Sequence, residues 1–197
     1  MQTISKAGAR YFRFSLLAVA SCFAGGLAHA NPAGPINVQG LAGPPVQLGN
    51  VLNVTTNLPR SIIEWQKFSI GAGEATRFFQ PDAASTVLNR VIGSGSAIDP
   101  SVILGTLWSN GRVFLVNPSG ITFGAGSVID TAGFLASTLG LSNADFLAGR
   151  FSFTDTPGAG AIRNDGAIAT PAGGYVYLVA PSVENNGVIT SPGGEII

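Results

Sequence analysis

Cysteine, histidine and methionine occur once each in these 197 residues, as Cys22, His29 and Met1. All three fall within the first thirty positions, and that stretch reads as a leader. Lys6, Arg10 and Arg13 form a basic start, and Phe14 to Leu27 is apolar but broken by Gly25 and Gly26. Ala28-His29-Ala30 then offers the small residues a signal peptidase reads. The apolar run is shorter than the ~20 residues of a spanning helix. A Sec signal over 1–30 is expected, cleaved after Ala30 with Ala28 and Ala30 as the small residues recognised, and it leaves a single mature domain over 31–197. Without cysteine the mature chain is neither a disulfide scaffold nor a thiol enzyme. Without histidine it lacks the usual general base and metal ligand. No metal and no cofactor are expected.

Lysine is nearly absent too, with only Lys67 beyond the leader. Three of the ten basic residues leave with the signal while all ten acidic ones stay, a net of three negative charges. That balance excludes a nucleic-acid surface. Charged residues make up only 10% of the chain, yet Val, Ile, Leu and Phe are plentiful, which excludes a disordered chain.

What remains is glycine, proline and short apolar runs. These include Val51-Leu52-Asn53-Val54, Ile62-Ile63-Glu64-Trp65, Thr86-Val87-Leu88, Arg112 to Val116, Ile121-Thr122-Phe123 and Tyr175 to Val179. Each is bounded by Gly, Pro, Asn, Asp or Ser, and no long segment shows helical spacing. The pattern predicts an all-β protein. One helical turn is expected near Asn143–Ala148, capped by Ser142 or Asn143. Trp65 and Trp108 sit in apolar alternating runs and are expected in the core or its cap.

The tail repeats itself. Asn164-Asp165-Gly166-Ala167-Ile168-Ala169-Thr170-Pro171 aligns with Asn185-Asn186-Gly187-Val188-Ile189-Thr190-Ser191-Pro192. An interval of this order matches one rung of a parallel β-helix, whose rungs stack ~4.8 Å apart. A hairpin with an Asn-Gly turn is the alternative reading. In the solenoid, corners demand Gly or Asn where φ is positive, and a corner Asn bonds to the rung beside it. Asn89, Asn110, Gly111, Asn164, Gly166, Asn185 and Gly187 are the expected structural corners. A sharper corner is Asn117-Pro118-Ser119-Gly120 between two apolar strands. Proline presets φ, Asn opens the turn with a side-chain bond, and Gly closes it.

Four blocks then resemble the N-terminal secretion domain of the filamentous haemagglutinin type, the exported partner in two-partner secretion. They are Ile62 to Gly71; Phe79-Gln80-Pro81 with Leu88-Asn89-Arg90-Val91; Asp99-Pro100-Ser101 through Leu107 to Ser109-Asn110-Gly111; and Phe114 to Gly124. The resemblance covers the whole mature chain and looks closest to the high-molecular-weight adhesin branch. It implies a right-handed, single-stranded parallel β-helix with N-terminal capping strands and small extra-helical β elements. It also implies a cognate outer-membrane transporter of the Omp85 type, with periplasmic POTRA domains, reached after the Sec machinery and signal peptidase. Asn117, Pro118, Ser119, Gly120, Asp99, Pro100 and Ser101 are its candidate recognition residues. Ser119 stands where the family usually has Asn, and Asp99 opens the other family Asn-Pro element.

Two rival readings make distinct demands. A polysaccharide-cleaving β-helix needs acids converging in one groove, but Asp82, Asp99, Asp130, Asp145, Asp155 and Asp165 are scattered at turns, so no enzyme is expected. An adhesin that binds a host glycan or protein directly needs an exposed ladder of aromatics on one face. Gly193 to Ile197 ends inside an apparent rung, which leads to the expectation of a longer exoprotein, whose missing part could meet a host-cell or bacterial surface receptor. The expected location is secreted or on the surface of a Gram-negative bacterium, by way of the periplasm.

Overall fold

The computed structural model describes residues 30–95 and 97–197, so the expected leader, Ala28 included, lies outside the described residues except for Ala30. Along the chain run β1 (Ala33–Gln39), β2 (Val46–Leu48), β3 (Val51–Thr55), β4 (Arg60–Lys67), β5 (Ala75–Phe79) and β6 (Thr86–Val91). Next come β7 (Ser101–Ile103), β8 (Thr106–Val116), β9 (Ile121–Phe123), β10 (Val128–Ser137), β11 (Gly140–Leu141), α1 (Asn143–Leu147) and β12 (Phe153–Thr154). The last rungs hold β13 (Ile162–Asn164), β14 (Ala167–Ala169), β15 (Tyr175–Val179), β16 (Val183–Asn185), β17 (Val188–Thr190) and β18 (Glu195–Ile196).

Parallel pairing winds these strands into a three-sided β-helix. The first side stacks β3, β5, the first half of β8, the first half of β10, β14 and β17. The second stacks β4, β6, the second halves of β8 and β10, then β15 and β18. The third holds β7, β9, β13 and β16. At the N-terminal end β1 and β2 run antiparallel to β4 and β3 and cap the first rung. The repeat noted in the tail is the rung itself, since Asn164 pairs with Asn185 and Ile168 with Ile189, in parallel. That register excludes the hairpin.

Period-two alternation explains the core. Leu107, Ile129 and Ile168 stack inward on the first side; Val87, Val113, Phe134 and Val176 do so on the second. Each such side chain contributes about 1.5–3 kcal/mol through burial. The second side is buried on its outer surface as well. Leu88, Phe114, Val116 and Leu135 point outward and meet Leu141 and Phe146 from the excursion β11–α1–β12. This is why Val113 to Val116 reads as an unbroken apolar run. Within the excursion Ser142 caps α1, accepting from Asp145 N. Phe146 meets Phe114 edge-on, with ring centroids 5.7 Å apart.

Three sequence expectations change here. Asn89 is not a corner: it lies inside β6, fully buried and facing the core. It accepts from Trp65 Nε1 at 2.9 Å and donates to the Phe114 carbonyl at 3.3 Å, satisfying an indole N–H that burial would otherwise orphan. Trp108 is not a core residue either, since the parity that buries Leu107 and Ser109 turns it outward against Phe79. Gly111, Gly166 and Gly187 occupy corners without the positive φ expected of them. Each is glycine because the preceding rung comes too close. A Cβ on Gly166 would lie 2.1 Å from Ser127 Oγ, on Gly187 2.1 Å from the Gly166 carbonyl oxygen, and on Gly111 2.6 Å from Gln80 Cδ.

Candidate functional site

The two proline-containing motifs, distant in sequence, form one stacked corner at the third side. Ser101 pairs with Ile121 across β7 and β9, which sets Asp99-Pro100-Ser101 one rung from Asn117-Pro118-Ser119-Gly120. Asn117 fastens them. Its Nδ2 donates to the Asp99 carbonyl and to Ser101 Oγ, both at 2.9 Å, while its Oδ1 accepts from Ser119 N at 3.0 Å. Gly120 N closes the turn on the Asn117 carbonyl at 3.2 Å, with Gly120 at φ +115. Asn117 thereby uses its amide in three directions, as a four-residue turn with Asn first allows.

The following rung clamps the other side. Gly160 N donates to the Pro118 carbonyl at 2.8 Å, and Ile121 N to the Ala161 carbonyl at 3.1 Å. A Cβ on Gly160 would come 2.7 Å from the Ser119 carbonyl oxygen. Gly160 escaped the sequence reading, and only the run Gly158-Ala159-Gly160 of small residues hinted at it.

Burial sorts the corner into an inside and an outside. Asn117, Ser101 and Gly120 are buried, whereas Asp99 and Pro100 are exposed and Pro118 and Ser119 half-buried. Lys67 pairs with Asp99 at 2.9 Å, but both side chains are 62% exposed, so the pair holds little energy in water. Beside Pro118 opens a groove of about 400 Å³ between the second side and the excursion, walled by Val116, Leu139 and Leu141, with Arg90 at its rim. Arg90 bonds Glu64 at 2.9 Å and the Leu141 carbonyl at 2.6 Å, tying the excursion to the rungs.

The remaining corner residues bond along the stack. Asn110 exchanges two bonds with the Gln80 backbone, both at 2.8 Å, where β8 bends from the first side to the second. Buried Asn164 donates to Asn185 Oδ1 at 2.8 Å and accepts from Gly166 N at 3.1 Å. The carboxylates also serve turns. Asp82 accepts from Ser85, side chain and backbone, and these bonds hold its carboxyl below the usual range. Bonds from Ser142 and Arg150 lower Asp145 in the same way, as do Arg163 and Asn186 for Asp165. Among the described residues no group of three or more His, Cys, Asp or Glu is placed to hold a metal ion.

Known proteins match this architecture. The heme/hemopexin-binding protein of Haemophilus influenzae (strain ATCC 51907 / DSM 11121 / KW20 / Rd) is 38% identical over 91 residues, 46% of this chain and 10% of that protein. A second heme/hemopexin-binding protein from Haemophilus influenzae is 37% identical over 92 residues, again 10% of its length. The chain therefore spans about a tenth of these relatives. The crystal structure of the HMW1 secretion domain from Haemophilus influenzae, a β-helix, superposes with a TM-score of 0.77 at 36% identity, covering 84% of this chain and 44% of that one. The family model of the TPS secretion domain matches residues 30–195, and the chain belongs to that family.

Proposed function

We propose that residues 31–197 are the export-targeting module of a two-partner-secreted exoprotein. The POTRA domains of an Omp85-type outer-membrane transporter recognise it in the periplasm, after Sec translocation and removal of 1–30. The observation that carries this reading is the stacked corner, in which two proline turns share one buried Asn117 and offer Asp99, Pro100, Pro118 and Ser119 outward. The folded chain also offers the transporter the open edges of β17 and β18, to which a sheet edge can add, gaining backbone bonds without opposite charge. That mode suits a mature chain with one lysine. Once outside, the capped first rungs template each later rung, and burial then opposes backsliding without ATP.

The family is one of exoprotein targeting domains, and the scattered turn carboxylates support a non-enzymatic role. The test is export through the cognate transporter of two variants. Asn117→Ala removes the internal fastener, and Ser119→Lys changes only the half-buried outer surface. Both are expected to lower secretion about tenfold or more, the second with unchanged thermal stability. Undiminished secretion of both variants removes the corner from recognition.

A further inference from the structure

The outer surface of the first side carries one row unlike its neighbours. Register places Asn53 beside Arg77, Arg77 beside Trp108, and Trp108 beside Asp130 on four successive rungs. The Trp108 ring leans on Phe79, which is 41% exposed, at 5.5 Å between centroids. Trp108 forms the rib between two depressions. One, of about 280 Å³, is lined by Arg77, Phe79 and Thr106. The other, of about 410 Å³, is lined by Asn110, Asp130, Thr131 and Thr170 among others.

The charges flanking this rib are free. Among the described residues Arg77 is the one basic side chain without a hydrogen bond, ion pair or ring contact. Asp130 likewise has none. In a chain with so few charges, two unpaired ones of opposite sign stand one rung either side of a half-buried indole.

We infer that this row is a binding subsite for a hexopyranose unit of a neutral polysaccharide. A pyranose presents a face of C–H bonds, which are weakly positive, and an indole face is electron-rich, so the two stack. The ring's rim carries hydroxyls that both donate and accept. Arg77 can only donate, Asp130 can only accept, and Asn53 and Asn110 do either. Rungs spaced ~4.8 Å apart put Arg77 and Asp130 within reach of opposite edges of one sugar seated on Trp108. The two depressions continue the track for neighbouring units. A protein partner fits this row less well, because the buried centre of a protein interface is depleted in charge, whereas here a carboxylate directly adjoins the aromatic. The subsite lies on the first side, away from the Asn117 corner, and does not depend on the export reading.

The chain's two tryptophans make the test specific. Trp65 is fully buried, its indole N–H held by Asn89, so a ligand-induced change in emission reports on Trp108. The secreted chain is titrated with cellohexaose, maltohexaose and chitohexaose, by fluorescence and by calorimetry. Saturable binding of at least one hexaose is expected. Calorimetry should show it weakened tenfold or more in Trp108→Ala, partly retained in Trp108→Phe, and weakened in Arg77→Met and Asp130→Asn, all with wild-type melting temperatures. Absence of saturable binding by all three hexaoses, or binding untouched in Trp108→Ala, overturns the proposal. So does loss of export in Trp108→Ala without any sugar response, which would assign this face to the transporter.

Discussion

Gly166 and Gly173 stand at successive turns of the same rung, and the structure needs glycine at each for a different reason. At Gly173 the backbone is left-handed, φ +76, and a Cβ would meet nothing within 4 Å. At Gly166 φ is ordinary, but a Cβ would press on Ser127 of the neighbouring rung. The first residue is conformational, the second steric. Asn tolerates the left-handed region, so Gly173→Asn should be near neutral, while Gly173→Ala should cost about 1–2 kcal/mol. Gly166→Ala and Gly166→Asn should both destabilise, by about 1–3 kcal/mol, because overpacking takes no account of φ. Urea unfolding of the four variants decides it, and equal tolerance of Asn at both sites would refute the distinction. The Asn-Gly pairs were legible in the sequence as corners, yet their reason was not. A turn glycine chosen for close approach looks the same on paper as one chosen for φ. Asn89 was misread on similar grounds: Asn signals a turn, and nothing local told of the Trp65 indole across the rung.

At the scale of elements, legibility followed alternation. The runs at Ile62, Thr86, Arg112 and Tyr175 lie in β4, β6, β8 and β15. β10 was not singled out although it holds the centre of the fold, pairing with β8, β14 and β15. Asp130, Thr131 and Gly133 interrupt its pattern where it bends between two sides, and the bend is what a strand serving two sides requires. The helical turn was visible through Ser142 and its cap. Its purpose, covering a second apolar surface, was not. α1 has only five residues and cannot stand on its own helical propensity. It is held by Phe146 against Phe114, and by Arg60, whose guanidinium donates to the Phe146 carbonyl at 3.0 Å and lies 5.8 Å from its ring. Phe146→Ala should therefore release the excursion before the rungs. Limited proteolysis is expected to cut between residues 140 and 158 while the strand signal in circular dichroism stays. A global loss of about 3–5 kcal/mol with no local cleavage would mean that the excursion and the β-helix unfold as one unit.

For the whole molecule, the residues the chain lacks shape how it responds to pH. Histidine is the side chain whose ordinary pKa falls between pH 5 and 8, and residues 31–197 contain none. The groups with shifted pKa lie at the two extremes. Asp82, Asp145 and Asp165 are held below the ordinary 3.8 by bonds from Ser85, Ser142 and Arg163. Groups depressed in the folded state stabilise fully above their unfolded value, and that stabilisation is lost as pH falls through the lower folded one. At the alkaline end the Glu195 carboxylate accepts from the Tyr177 hydroxyl and pushes it up from 10.0 to about 12. A raised tyrosine stabilises below its unfolded pKa, and the contribution disappears as pH rises through about 12. Melting temperature should accordingly form a plateau from about pH 5 to pH 9, with an acid limb and an alkaline limb. Asp82→Ala should lie below wild type on the plateau and converge on it only as pH falls through the folded pKa, which lies below 3.8. Tyr177→Phe should likewise lie below wild type on the plateau, with its alkaline limb blunted. A sharp transition between pH 5 and 8 in residues 31–197 would have to come from the α-amino terminus, the one group there that ordinarily titrates in that range.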